Sequence, residues 1–340
     1  MGPNPIQVTI FMYKKNVKFF FLKYKYDIFN IEGGTMNALE KLVFDLLKNG
    51  VSLNKIQDTL DLSNEVFLTT IKNIRANYPY LERELDSSGT YFLKPTTFID
   101  SSNRVRIKMY KDSIRMLHIS DLHIGNKNDR LDLLDTVYDH AKLKGIHYIT
   151  NTGDIIENIC YLKQNKLRLK TLKGQIYSFI KNYPYDKDIH TITIFGNHDV
   201  TPEDIDIAQI INEERHDIIP LGYGEGFIDL KEDSIKLEHN LTTSNKHHNT
   251  SSPITFRGHS HKTKYDLRRD NALIFVPALS DALPSNYKEK PLKGFLESEI
   301  KFNEDGHIKR VFIREYTIEP HKRLASEMTL SLRKSDTNDE

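Results

Sequence analysis

Apolar residues recur with the period of an α-helix in the stretch from residue 36 to residue 96. The clearest stripe has an apolar side chain at every third or fourth position and is formed by Leu39, Leu42, Val43, Leu46 and Leu47. That spacing is typical of one face of an amphipathic helix, and Gly50 ends it. Ser52 and Ser63 can each cap a further helix, because a serine hydroxyl accepts a hydrogen bond from the first backbone amides. The pattern therefore predicts three short helices.

A hairpin signal follows these helices. Apolar and polar residues alternate over 81–85 and 90–93, on either side of the turn sequence Asp86-Ser-Ser-Gly89. Helix, helix, turn, helix and hairpin is the order of a winged helix-turn-helix domain, which we predict for 36–96. Acidic residues slightly outnumber basic ones there, so a protein-contact or regulatory module is the alternative to a DNA-binding one. The outer side of the third helix offers a set of side chains suited to nucleic-acid contact: Lys72, Asn73 and Arg75.

Downstream of residue 113 the pattern changes to short apolar strands that alternate with helices. Strands are predicted over 116–119, 147–150 and 189–195, and helices over 131–144, 169–182 and 203–215. Further short strands are predicted over 227–230, 235–238, 254–257, 273–276, 295–302 and 309–316. This succession predicts an α/β fold in which two facing β-sheets are flanked by helices.

The remaining segments are expected to be peripheral. Residues 1–35 are interpreted as an added strand or a loosely docked arm, unless Met36 is the natural start. Residues 97–112 are predicted to be a linker with a basic run. The main domain is then expected over 113–320, and the polar residues 321–340 are predicted to be disordered.

The composition narrows the class of protein. The 340 residues suffice for one large or two ordinary domains, and 38% hydrophobic with 28% charged residues suits a protein with a real core. A formal net charge of +1 gives no whole-chain attraction to nucleic acid or membrane. The single cysteine, Cys160, excludes an internal disulfide and favours a cytoplasmic location. The apolar stretch 19–22 is short and lysines flank it, so we predict neither a secretory signal nor a membrane span.

Five short blocks downstream of residue 120 carry side chains that bind metals. Each comes directly after a predicted strand, and the carboxyl ends of strands gather ligands in α/β folds. Carboxylate, amide and imidazole groups are ligands for divalent cations, and a pair of such ions activates a water and clamps a phosphate. The blocks therefore predict a metal-dependent phosphoesterase. They are Asp121-Leu-His123, Gly153-Asp154, Gly196-Asn197-His198-Asp199, His239 and Gly258-His259-Ser-His261.

Two histidine assignments need an argument of their own. His239 is preferred as a ligand over His247 and His248, because it directly follows a predicted strand. The other two lie in a loop rich in Asn, Ser and Thr. His198 lies beside the ligand Asn197 and can act on a substrate.

The order of the blocks resembles the calcineurin-like metallophosphoesterase family over about 114–317. The resemblance implies that one metal ion is held by Asp121, His123, Asp154 and His261. It implies that the second ion is held by Asp154, Asn197, His239 and His259. His198 would contact the phosphate and assist the leaving group, and Glu157 would orient its imidazole. From the residues alone, an acid at the start of a helix is the alternative for Glu157.

The resemblance also implies the cofactors and the activity. Two divalent metal ions are the expected cofactors, with Mn²⁺ first and iron or zinc as alternatives. Residues 118–125 and the Gly-His-x-His block resemble the phosphodiesterase and repair-nuclease branches. We therefore expect hydrolysis of a phosphodiester, in DNA or RNA. The alternatives are a phosphomonoesterase acting on a nucleotide or phosphoprotein, and a winged-helix regulator whose phosphoesterase fold senses a ligand. A protein partner could bind the winged-helix module, and no membrane partner is expected.

Overall fold

The computed structural model divides the chain into two compact units, Met1–Leu81 with Leu93–Thr97 and Glu82–Phe92 with Phe98–Glu340. None of the helices in the part that it describes is long and apolar enough to cross a membrane. The described residues are 29–31, 34–77, 81–86, 90–95, 103–159, 164–201, 205–240, 252–268, 271–282, 292–319 and 321–332.

The smaller unit contains the three predicted helices, α1 (Ala38–Lys48), α2 (Leu53–Leu60) and α3 (Asn64–Asn77), which are confirmed. Asn37 begins α1 with a capping box, in which its side chain accepts from the Glu40 amide and the Glu40 carboxylate accepts from the Asn37 amide. The apolar stripes form the core of this unit, which includes Val43, Leu47, Ile56, Phe67 and Ile74.

A short antiparallel strand pair precedes these helices. It consists of β1 (Phe29–Ile31) and β2 (Gly34–Met36). This agrees with an added strand for the last part of 1–35, and residues 1–28 lie outside the described residues.

Both strands of the predicted hairpin form, as β3 (Leu81–Asp86) and β4 (Tyr91–Pro95). However, β3 pairs in parallel with β5 (Arg104–Lys108), so the hairpin extends a large sheet. The prediction of a linker over 97–112 is wrong at β5, because the basic residues there alternate with the buried Val105 and Ile107. The winged-helix arrangement stays a prediction.

The first sheet of the larger unit has seven strands in the order β17-β16-β15-β6-β7-β8-β9. The last four strands in this order, β6 to β9, are parallel, and helices connect them. These strands are β6 (Ser113–Ile119), β7 (Tyr148–Asn151), β8 (His190–Phe195) and β9 (Ile218–Tyr223). The helices are α4 (Asp132–Lys144), α5 (Leu172–Asn182) and α6 (Ile207–Glu214), with a short 3₁₀ turn at Gln164–Lys166.

The other side of this sheet is antiparallel, with β15 (Gly294–Phe302), β16 (Ile308–Thr317) and β17 (Arg323–Ser331). The prediction of disorder over 321–340 is wrong for β17. This strand is held by main-chain pairing with β16 although nearly all of its side chains are exposed, so no apolar alternation marks it. Residues 333–340 lie outside the described residues.

The second sheet has eight strands in the order β13-β14-β12-β11-β10-β5-β3-β4. Its remaining members are β10 (Glu225–Leu230), β11 (Asp233–Glu238), β12 (Ile254–Arg257), β13 (Lys264–Leu267) and β14 (Ala272–Phe275). The sheets face each other, since the ring of His118 in β6 stacks on Phe256 in β12 with centroids 3.5 Å apart. The predicted α/β architecture of two sheets with flanking helices is confirmed.

Candidate metal centre

The seven predicted metal ligands all lie just beyond the carboxyl ends of strands. Asp121 and His123 follow β6, Asp154 follows β7 and Asn197 follows β8, so the parallel strands bring them to one edge of the first sheet. The second sheet contributes the others from the ends of β11 and β12: His239, His259 and His261.

One group of ligand atoms is formed by Asp121, His123 and His261. The Nε2 atom of His261 lies 3.3 Å from the Asp121 Oδ1 atom and 3.3 Å from the Nε2 atom of His123. Imidazole nitrogens and a carboxylate oxygen at such separations converge on a space between them. All three side chains are buried, so they form a shielded site.

A second group is formed by Asp154, His239 and His259, and Asn197 adjoins it. The Asn197 Oδ1 atom lies 3.0 Å from the His259 Nδ1 atom. Asp154 connects the two groups, because its Oδ2 atom is 3.1 Å from His239 Nε2 and 3.8 Å from His123 Nε2. Its carboxylate therefore lies between the two groups of predicted ligands.

The backbone is strained at these ligands. Five of them have positive φ angles: Asp121 (53°), His123 (47°), Asp154 (54°), His259 (72°) and His261 (56°). A side chain in the left-handed region costs about 1–3 kcal/mol and persists only where the surroundings impose it. Backbone hydrogen bonds impose it here, with the Asp121 amide donating to Gly153 and the His123 amide to Asp154, both at 3.0 Å.

Two glycines let these loops approach closely. Gly153 has a φ of +102°, and a Cβ atom there would lie 2.7 Å from the His239 Nδ1 atom. A Cβ atom on Gly196 would overlap the Asp154 carboxylate. The glycines that precede the ligands in the sequence blocks are therefore needed for space as well as for turning.

The donor set fits divalent cations, as the hydrogen bonding of His239 shows. Its Nδ1 atom is 2.7 Å from the Thr152 carbonyl and must donate to it, so in the neutral ring Nε2 presents a lone pair to the Asp154 carboxylate. Neither His239 Nε2 nor Asp121 Oδ1 has a hydrogen-bond partner among the described residues. Buried polar atoms of this kind are suited to bind a cation, and a second nitrogen fixed by a carbonyl is typical of metal-bound histidine.

The charges of the site point the same way. Burial by itself would raise the pKa of Asp121, but the His261 imidazole holds that pKa at about 2. The pKa of Asp154 lies well below its usual range because the attraction of His239 outweighs burial. Burial would lower the pKa of His239, and Asp154 instead raises it to about 9. A proton thus takes the position that a metal ion would compete for.

His198 borders both groups of ligands. Its Nδ1 atom is 2.8 Å from the Glu157 carbonyl, to which it donates, so the opposite ring nitrogen is the one that can reach a substrate. Burial would lower the pKa of His198, but its hydrogen bond to the Glu157 side chain raises it to about 9. The side chain also lies within ligand distance of His123 and Asp154, so a role as a metal ligand has to be tested separately.

Glu157 connects His198 with the predicted metal ligand His123. One carboxylate oxygen lies 3.4 Å from His198 Nδ1 and the other 3.2 Å from His123 Nδ1. Asn126 donates to the second oxygen at 2.9 Å. Although burial would raise the pKa of Glu157, the two histidines lower it to about 2. The alternative of an acid at a helix start is wrong, because Glu157 is buried in the loop after β7.

We expect Glu157→Gln to weaken Mn²⁺ binding or turnover by about 10–100-fold, the usual effect of removing a partner of a metal-bound histidine. The amide keeps the shape of the side chain but removes the charge that holds both imidazoles. Titration of Mn²⁺ and steady-state kinetics measure the effect. The exposed Glu214→Gln is the matched control, and identical behaviour of the two variants would show that Glu157 does not position these rings.

Sequence analysis did not predict the residues whose hydrogen bonds connect the loops after β7 and β8. Asp199 is fully buried and accepts from the backbone amides of Ile155, Ile156 and Gly196 at 2.8–3.1 Å. Asn158 donates to the carbonyls of His198 and Val200. The sequence gives no indication that Asn158 adopts a left-handed φ of 62°. Asp199 could have been noticed only because it belongs to the Gly-Asn-His-Asp block.

The predicted nucleic-acid residues lie on α3 in the smaller unit. Lys72 is exposed, and Asn73 and Arg75 are partly buried. Asn73 donates to the Glu40 carboxylate at 2.8 Å, so its side chain is engaged with the start of α1. Of the three, Lys72 best fits a surface contact.

Comparison with known proteins identifies one family. Residues 114–277 match the family described as calcineurin-like phosphoesterase, and this stretch contains all seven predicted ligands with Glu157 and His198. No curated protein matches the chain.

Similar solved structures are distant in sequence. Vps29 complexed with zinc from Entamoeba histolytica is 13% identical with a TM-score of 0.39, covering 64% of this chain and 99% of that chain. An archaeal phosphodiesterase is 12% identical with a TM-score of 0.36 and covers 64% and 100%. Yfce, a phosphoesterase from E. coli, is 12% identical with a TM-score of 0.36 and covers 57% and 96%.

Proposed function

Residues 114–277 belong to the calcineurin-like phosphoesterase family, and from that premise we propose that the chain is a dinuclear metal-dependent phosphodiesterase. The observation that carries the proposal is the position of Asp154 between two groups of predicted ligands. A shared carboxylate is the feature that distinguishes a site for a pair of ions from two separate sites.

The seven predicted ligands would hold two metal ions. One ion would be held by Asp121, His123, Asp154 and His261, and the other by Asp154, Asn197, His239 and His259. When bound, such a pair lowers the pKa of water and neutralises charge on the phosphoryl oxygens. The protein itself contributes a rigid, buried frame, since the loops are tied together by Asp199 and by the paired backbone amides.

His198 would give a proton to the leaving oxygen of the substrate. Its Nδ1–H is held by the Glu157 carbonyl and its side chain is partly exposed beside the ligands. Although burial would lower the pKa of His198, the hydrogen bond to the Glu157 side chain raises it, which favours the protonated ring that a general acid needs.

We further propose that the scissile bond is a phosphodiester in nucleic acid. This proposal is based on the resemblance of residues 118–125 to the phosphodiesterase and nuclease branches of the family. The test uses the protein with Mn²⁺ on bis-p-nitrophenyl phosphate, p-nitrophenyl phosphate and single- and double-stranded DNA, side by side. We expect turnover of the diester and of DNA to exceed that of the monoester. A preference for p-nitrophenyl phosphate would instead favour a phosphomonoesterase, and no turnover with Mn²⁺, iron or zinc would favour a ligand sensor.

The helical unit would bind the nucleic acid through α3. We expect the double substitution Lys72→Glu and Arg75→Glu in the full chain to weaken DNA binding and to lower its salt dependence by about one unit of slope per lost phosphate contact. Fluorescence anisotropy with labelled DNA over a range of salt concentrations measures both.

The full chain is needed for this experiment because β3, β4 and β5 extend a sheet of the larger unit, so a truncation near residue 112 would remove three strands. Lys55→Glu, at an exposed position of α2, is the matched control. If both proteins bind DNA as tightly as the wild type at low salt, the helical unit is a protein-contact or regulatory module.

A further inference from the structure

Three large apolar side chains are exposed next to the loop that carries His198. They are Ile159, Val200 and Tyr223, with 43%, 51% and 40% of their surfaces exposed. The larger unit buries most of its apolar residues, so an exposed group of this kind beside polar ligands is typical of a surface that contacts a ligand.

Contacts connect the segments that carry these three residues. The side-chain amide of Asn158 donates to the Val200 carbonyl at 2.8 Å and to the His198 carbonyl at 3.0 Å, and Ile159 is the next residue along the chain. Burial raises the pKa of Tyr223 and an interaction with the Thr201 side chain offsets part of that rise, so the Tyr223 hydroxyl lies near Thr201, which follows Val200. The three apolar side chains therefore come from three neighbouring segments around the loop of His198, and we call them the apolar rim.

The ring of Tyr223 packs against Phe195 at the edge of the candidate metal centre. Tyr223 ends β9 opposite Phe195, and the two ring centroids are 5.0 Å apart. The next residue, Gly224, donates to the Phe195 carbonyl at 2.9 Å and accepts from the amide of the ligand His239 at 2.7 Å. An aromatic ring fixed in this way offers a face on which another flat ring can stack.

We propose that the apolar rim binds the leaving group of the phosphodiester, and that this leaving group is a nucleoside whose base packs on Tyr223. The inference rests on the proposed function. In an in-line displacement the departing oxygen leaves beside the residue that protonates it. In the proposed mechanism that residue is His198, and the apolar rim lies next to it. Stacking on an aromatic ring suits a nucleobase of any sequence, because every base has a flat face.

The test compares substrates that differ only in the departing alcohol. Thymidylyl-thymidine releases a nucleoside, whereas the methyl esters of thymidine 3′- and 5′-phosphate can release methanol from the same nucleotide, and product analysis counts only the turnover that releases methanol. With Mn²⁺, the wild-type protein should prefer the dinucleotide by roughly tenfold or more in kcat/KM, the scale of one base stacked on an aromatic side chain. Tyr223→Ser should lower that preference about tenfold, and Tyr223→Phe should retain it because the ring remains.

Ile159→Ser and Val200→Ser provide further variants at exposed positions, and Leu143→Ser, which is 79% exposed on α4, is the control that should keep the wild-type preference. A wild-type preference that survives Tyr223→Ser would overturn the proposal. So would an equal loss on all of these substrates, which would indicate a structural role. If the wild-type protein hydrolyses no diester at all, the proposed function itself fails, and this outcome is distinct from a change in the preference.

Discussion

Asp154→Asn is expected to abolish turnover and to weaken the binding of both metal ions. The carboxylate lies within reach of His123 in one group of ligands and of His239 in the other. An amide has a single oxygen without a negative charge, so it cannot bridge two cations as a carboxylate does. Metal content per chain, measured together with turnover of bis-p-nitrophenyl phosphate, tests the prediction.

Asp139→Asn is the matched control for this variant, because Asp139 is exposed on α4. That protein should keep the metal content and turnover of the wild type. Wild-type turnover in a metal-depleted Asp154→Asn protein would refute the two-metal account, whereas loss of only one ion would limit Asp154 to a single site.

His198→Ala should lower turnover by about 10²–10⁴-fold, the range typical of a general acid–base group. The metal content should stay that of the wild type, because all seven predicted ligands remain. The loss should be largest for DNA, whose leaving alkoxide needs a proton, and smaller for p-nitrophenyl esters, whose leaving group departs without one. Turnover of both substrates and metal analysis of the same protein check these expectations.

The exposed His321→Ala serves as the control for a histidine outside the site. If His198→Ala loses a metal ion, His198 is a ligand, as its distance from His123 and Asp154 permits. An equal loss of turnover on both substrates would argue against proton donation.

The positions of the ligand blocks were predictable because they depend on local pattern and on one rule of α/β folds. Apolar runs marked the strands β6, β7, β8, β11 and β12, and polar side chains followed each of them. Since parallel strands end at the same edge, Asp121 and Asp154 had to lie close together. The distances and the strained φ angles could not be predicted, because contacts between loops far apart in the sequence determine them.

The strands β5 and β17, which the sequence did not predict, are stabilised mainly by main-chain pairing with their neighbours. β5 alternates basic with apolar residues and pairs with β10 and β3, but its charges resembled a linker. Leu330 is the one buried side chain of β17, and the strand is held in place by pairing with β16. Asn158 and Asp199 hold the loops through backbone atoms of distant residues, and such contacts leave no periodic signal in the sequence.

The structure also changes how the N-terminal part is understood. Three helices and a hairpin occur in the predicted order, but the hairpin is hydrogen bonded to β5 in the eight-stranded sheet. Helix order alone cannot reveal this, because a hairpin with free edges can pair with any strand that reaches it. Lys72 nevertheless remains exposed on α3 for the contact that we propose.

Electron paramagnetic resonance of the protein titrated with Mn²⁺ tests the central claim most directly. Two ions that share the Asp154 carboxylate must be magnetically coupled, so a coupled Mn²⁺ pair should appear as the second equivalent binds, and turnover should rise with it. The coupled signal should be missing from Asp154→Asn. Full turnover in a protein that shows only isolated Mn²⁺ ions would contradict the account.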